Sequence, residues 1–152
     1  MITIQIINTD LPKVNKDLIK KAVKKTLSKF NKTDIDVTIR ITDDPEIAQL
    51  NQEFRGISSA TDVLSFNQDF LNPETGRWYL GDIIISLETA VNQAPKYNLT
   101  PNQECAFLAI HGTLHLLGYN HDSPEDKEIM WEIQDNIFSD LIRDSEKKAD
   151  KR

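Results

Sequence analysis

A helix that opens at Thr100, closes at Gly118 and carries two histidines four positions apart leaves this chain few ways to fold. Thr100-Pro101-Asn102-Gln103 has the form of a capping box with proline at the first helical position. Apolar residues continue through Ala106, Leu108, Ala109 and Leu114 to Leu117, and Gly118, which accepts positive φ without a Cβ clash, supplies the stop. All three histidines of the chain fall in the run His111-Gly112-Thr113-Leu114-His115-Leu116-Leu117-Gly118-Tyr119-Asn120-His121. Positions i and i+4 of a helix project from one face at neighbouring heights, so the imidazoles of His111 and His115 can reach a common ion. The turn at Gly118 lets His121 approach that ion from a third direction.

A lone histidine is more often a packed or surface residue than a ligand. Here spacing, glycine and clustering agree on a metal. Structural zinc sites are normally closed by four protein ligands, whereas catalytic ones keep a position for water, whose pKa falls to about 7 on the metal. Three imidazoles leave that position open, which favours chemistry. One zinc ion suits an all-imidazole tetrahedral set, with nickel or copper as competitors. Cys105 falls on another side of the helix from His111 and reads as a core thiol. The spacing H-x-x-x-H-x-x-G-x-x-H resembles that of metzincin proteases, whose first histidine is followed by a glutamate general base. Gly112 stands there instead, so proteolysis lacks its carboxylate.

Around this helix the pattern is that of an α+β domain. Residues 2–7 alternate and are β-branched, as in a strand, and Leu18, Ile19, Ala22, Val23, Leu27 and Phe30 recur at helical spacing between Asn15 and Asn31. Ile35, Val37, Ile39 and Ile41 alternate with Asp36, Thr38, Arg40 and Thr42, the period-two signature of a half-buried strand. Asp44-Pro45 reads as an N-cap and first-turn proline, with Gly56 after Arg55 as the stop. Val63–Asn67 and Leu80–Ser86 flank the turn formers Asn72-Pro73-Glu74-Thr75-Gly76, as in an antiparallel hairpin. Ser86 can cap a helix to about Tyr97, and Ser123-Pro124-Glu125-Asp126 opens a last helix toward Arg143. The expectation is a central mixed sheet of four strands packed with about five helices, the histidine helix among them. Residues 1–145 form a single metal-dependent hydrolase domain in this reading, and 146–152 a charged, frayed tail.

At 152 residues the chain is long enough for one core, and its single cysteine excludes an intramolecular disulfide and fits a reducing, cytoplasmic setting. The longest apolar stretches, such as Ile83 to Ile85, are far short of the roughly twenty residues that cross a bilayer, so no membrane association is expected. MITIQIINTD lacks a basic leader and a cleavage site and reads as a first strand. A net charge of -6 argues against gripping nucleic acid over the whole surface. Yet nine basic residues stand against four acidic ones through position 40, mostly on the first helix, as either a solvated face or a docking face.

The motif HGTLHLLGYNH resembles the hallmark of the YbeY family of bacterial endoribonucleases and ribosomal RNA maturation factors. Phe54-Arg55-Gly56 followed by Thr61-Asp62-Val63-Leu64-Ser65-Phe66 resembles a second signature of that family, and Gly81-Asp82-Ile83 with Ile85-Ser86 a third. The resemblance implies zinc-dependent, single-strand-preferring cleavage in small-subunit (16S) ribosomal RNA 3′-end maturation and ribosome quality control. Its partners would be single-stranded ribosomal RNA and ribosomal subunits or ribosome-associated proteins. It makes His111, His115 and His121 the metal ligands, with His115 and Arg55 as the catalytic residues. The family usually has aspartate at Asn120 and proline at Ala60 and Asn67, and the missing carboxylate at 120 removes a partner for the metal ligands.

Phosphodiester cleavage needs a nucleophile at neutral pH, which a metal-bound water supplies, and compensation of phosphate charge, for which the Arg55 fork is suited. Arg55 reads equally as a helix-end cation. Asp62 and Asp82 could orient ligands or simply cap a strand and a turn. Glu104 precedes His111 by seven residues on the same face and reads first as a helix first-turn acid. Phe66, Trp78 and Tyr79 could stack on bases, although hairpin aromatics are usually core. Two other functions fit the same features: a non-catalytic ribosome assembly factor with a structural metal, and a zinc hydrolase of another substrate class.

Overall fold

The structure is a computed structural model that describes residues 1–7 and 13–150, with side chains through residue 146. Four strands, β1 (Ile2–Ile6), β2 (Ile35–Thr42), β3 (Val63–Leu71) and β4 (Trp78–Ser86), form one sheet in the order β1-β2-β4-β3. β1 and β4 run parallel to β2, and β3 returns antiparallel to β4, so the sheet is mixed, as expected. Five α-helices accompany it among the described residues: α1 (Lys16–Lys29), α2 (Asp44–Arg55), α3 (Leu87–Gln93), α4 (Pro101–Leu116) and α5 (Pro124–Asp150).

The alternation in β2 sorts its two faces. Val37, Ile39 and Ile41 are buried in the main core with Ile83 and Ile85 of β4, Ile19, Ala22 and Val23 of α1, and the apolar residues of α4. Burying such side chains stabilises the fold by about 1.5–3 kcal/mol each. The opposite face is covered by α2, where Ile47 meets Leu64 and Ile84 in a smaller cluster. Arg40 and Thr42 reach up from β2 to Glu46 of α2 at 2.6 and 2.8 Å. α4 lies directly on the sheet: a Cβ added at Gly112 would stand 2.8 Å from Ile83 Cγ2, and one at Gly81 would stand 2.9 Å from Leu116 Cδ2. Only glycine permits either approach.

Several boundaries differ from the sequence expectation, each for a local reason. The N-cap of α2 is Asp43, whose side chain accepts from the Glu46 amide. Asp44 instead accepts from the Ser86 and Thr89 hydroxyls at the start of α3. β3 continues past Asn67 to Leu71 because an irregularity between Asn67 and Phe70, with Asp69 at φ 46, interrupts the alternation without ending the pairing. α3 stops at Gln93 and tightens into a 3-10 turn over Ala94–Tyr97, since Pro95 has no amide for the α-helical ladder. α5 runs beyond Arg143 to Asp150, and residues 151–152 of the segment expected to fray lie outside the described residues. Among the described residues no helix is long and apolar enough to cross a membrane.

Candidate metal centre

Both ends of α4 are built as its sequence dictates. The Thr100 hydroxyl accepts from the Gln103 amide at 3.1 Å, and the Gln103 side chain accepts from the Thr100 amide at 3.0 Å. At the other end the Gly118 amide donates to the His115 carbonyl and the Tyr119 amide to the Leu114 carbonyl, both at 3.0 Å. This is a Schellman pair with Gly118 at φ 102. Tyr119 then packs on the core, its ring 5.5 Å from that of Phe30. The helix exit is thereby fixed, and with it the path that carries His121 back toward the helix.

The three imidazoles converge. One ligand nitrogen from each of His111, His115 and His121 lies within 4.8 Å of the others. His111 Nε2 and His115 Nε2 are 3.1 Å apart, close to the roughly 3.3 Å separating two ligands at 2.0–2.1 Å from a tetrahedral ion. His111 Nδ1 donates to Gln134 Oε1 of α5 at 2.7 Å, which places the ring proton on Nδ1 and leaves Nε2 free as a ligand. His111 and His115 are half-buried and His121 is exposed, so the cradle opens to solvent on one side. This donor set fits a borderline-soft divalent ion.

Burial, followed by the neighbouring charges of His111, His121 and Arg55, pushes the His115 pKa down to about 4. Burial likewise lowers His111, opposed by its bond to Gln134 and by the charge of Asp62. Both shifts favour the neutral imidazole that a metal requires. Arg55 ends α2 just before Gly56 at φ 70. It is exposed and has no carboxylate partner among the described residues, yet its charge is felt at His115. The two residues come from distant parts of the chain, and the fold brings them close enough to interact electrostatically.

The other sequence candidates separate. Asp62 stands near His111 and accepts from Gln93 Nε2 at 3.1 Å. Asp82 is held by the Tyr79 hydroxyl and by Gln68, beside Thr38 on the sheet face away from α4. Phe66 packs on Phe54 at 5.1 Å and Tyr79 on Phe70 at 5.4 Å. Trp78 ends the hairpin opposite Leu71. Cys105 is a buried free thiol whose pKa burial pushes up to about 12. Glu104, expected as an ordinary first-turn acid, is only 2% exposed, with Oε1 accepting from Gln93 at 2.9 Å. Gln134 went unremarked in the sequence. Its signal was a polar residue in the apolar stripe of Met130, Ile137 and Leu141, and it is itself 1% exposed.

Two histidines on a helix packed against a mixed four-stranded sheet, joined by a third beyond the helix stop, define an α+β protein with a candidate metal site. Gly112 separates it from the proteases of similar histidine spacing: the position that carries their glutamate is pressed against Ile83 and has no room for a side chain. The family model described as Endoribonuclease YbeY matches residues 3–142, and the chain belongs to that family. A relative of that name from Sulfurihydrogenibium sp. is 44% identical over 132 residues, covering 84% of each chain. Another from Petrotoga mobilis is 40% identical over 144 residues, covering 93% of this chain and 96% of its own. The solution structure of TM1509 from Thermotoga maritima shares the fold, with a TM-score of 0.64 at 24% identity over 100% of this chain and 96% of that one.

Proposed function

We propose that this chain is a zinc-dependent endoribonuclease that cuts single-stranded RNA in the maturation of the 16S ribosomal RNA 3′ end and in ribosome quality control, within the cytoplasm. The observation that carries the reading is the convergence of three imidazole nitrogens within 4.8 Å, with the charge of Arg55 felt at His115. Family membership supports the substrate class, since the relatives are named endoribonucleases. His111, His115 and His121 would hold one zinc ion, which supplies Lewis acidity and a nucleophile at neutral pH.

The protein's own residues do the remaining work. Gln134 holds His111 in the tautomer that presents Nε2. Arg55 offers a planar fork to the phosphate oxygens and compensates the charge that grows on them as the phosphorus becomes five-coordinate. The cradle opens to solvent through exposed His121, so an RNA strand can approach with its phosphate toward Arg55. Purified full-length protein should contain one zinc per chain and cleave an unpaired RNA oligomer in preference to the same sequence in a duplex. His115→Ala should lose both metal and cleavage. Cleavage retained by metal-free His115→Ala would refute the proposal. A non-catalytic assembly factor would instead associate with ribosomal subunits and leave the oligomer intact.

A further inference from the structure

Beside His111 lies a cavity of about 440 Å³, within the usual range for small-ligand sites. One wall is aromatic. Phe107 stands 6.2 Å from Trp131 and 5.3 Å from Phe138, and Trp131 is 43% exposed. The wall around Gln93 is acidic, from Asp62 and Glu104, while Asp135 joins the lining from α5 between Trp131 and Phe138. No lysine or arginine lines the cavity among the described residues, so phosphate is repelled from it.

The acidic wall is organised rather than merely charged. Gln93 Nε2 donates one hydrogen to Glu104 Oε1 at 2.9 Å and the other to Asp62 Oδ2 at 3.1 Å, tying the two carboxyl groups together. Glu104 is 2% exposed, and its Oε2 has no hydrogen-bond partner. Buried acceptors left without a donor are rare in folded proteins. This one belongs to a residue that lines a cavity next to a metal cradle. Burial raises its pKa, and a ligand that brings a donor would satisfy it as a carboxylate.

We propose that this cavity seats one unpaired guanine of the RNA, its N1–H and N2 amino group donating to Glu104 and its ring stacked on the aromatic wall. The choice of base follows from the wall. Guanine alone carries two adjacent donors on its pairing edge, the arrangement a carboxylate accepts. Uracil sets one donor between two carbonyl oxygens, which the acidic wall repels. Because the pairing edge must be free, a paired guanine is excluded. The proposal rests on the endoribonuclease reading for its RNA context and adds a base preference beside the cut.

The test is binding of mononucleotides to the metal-loaded full chain with Trp78→Phe, which leaves Trp131 as the one remaining tryptophan reporter. Guanosine, inosine and uridine 5′-monophosphates carry the same phosphate, so differences among them isolate the base. Inosine lacks only the N2 amino group. Guanosine monophosphate should quench Trp131 with a Kd about tenfold below that of inosine monophosphate, the low end of discrimination by a two-point contact. It should exceed uridine monophosphate by more. Glu104→Gln, of nearly the same shape, should erase the guanosine–inosine gap. Equal affinities for guanosine and inosine monophosphates, or a gap that survives Glu104→Gln in a folded protein, would overturn the proposal. Selective guanosine binding by a protein that cuts no RNA would sustain the subsite and sink the endoribonuclease reading. Cleavage without discrimination among the nucleotides would do the reverse.

Discussion

Replacing Gln134 with leucine tests how the metal cradle is held from behind. Gln134 is 1% exposed on α5 and accepts from His111 Nδ1 at 2.7 Å. Leucine is of similar size and continues the stripe of Met130, Ile137 and Leu141, so packing changes little. What is lost is the acceptor. His111 then keeps a buried Nδ1–H without a partner, a cost of about 1–3 kcal/mol. The ring can escape by moving its proton to Nε2, which removes the ligand, or by rotating, which breaks convergence with His115. Either route weakens the metal site by about 10- to 100-fold, the range for loss of a group that orients a histidine ligand, or about 1.4–2.7 kcal/mol. Competition against a fluorescent zinc chelator at neutral pH reads the affinity, and a urea titration of the metal-free protein reads the fold. Unchanged zinc affinity in a folded Gln134→Leu protein would refute the argument that Gln134 fixes the tautomer.

Arg55→Ala should keep its zinc and lower kcat/KM on an unpaired RNA oligomer by about 100-fold, the size of losing one donor to a developing oxyanion. A variant as active as wild type would remove Arg55 from the chemistry. Gly112→Ala sets a Cβ 2.8 Å from fully buried Ile83. Overpacking of about 1–3 kcal/mol should exceed the roughly 1 kcal/mol gained in helix propensity, so the urea midpoint should fall. A raised midpoint would show that α4 can lift off the sheet freely. In the metal-free protein burial and the neighbouring charges push the His115 pKa from the ordinary histidine value of 6.5 down to about 4. The unfolded chain therefore binds more protons between these values, so stability is highest above about pH 6.5 and declines as pH falls toward 4. His115→Asn should flatten that part of the urea-midpoint profile, and an unaltered slope would assign the decline to other groups.

Features written in consecutive residues were legible from the sequence. The Thr100 capping box, the Gly118 stop and the alternation of β2 each depend on local chemistry, and the structure repeats them. So was the convergence of the histidines, because two share a helix face and the third follows a turn of known type. Choices between chemically equal neighbours were not legible. Asp43 and Asp44 are both good caps, and the hydroxyls of Ser86 and Thr89, over forty positions away, decide between them. Strand order escaped for the same reason, since nothing local says that β2 lies between β1 and β4. Glu104 and Gln134 were visible as polar residues on apolar faces, but their partners come from α3 and α4. Arg55 could be named only by resemblance, and its reach to His115 is a property of the fold.

The zinc K-edge X-ray absorption spectrum of the natively purified full chain tests the central claim most directly. The account predicts one zinc per chain bound by three imidazole nitrogens at about 2.0–2.1 Å and one exchangeable oxygen. Absence of stoichiometric metal, a sulfur scatterer, or a fourth protein ligand closing the site would contradict it.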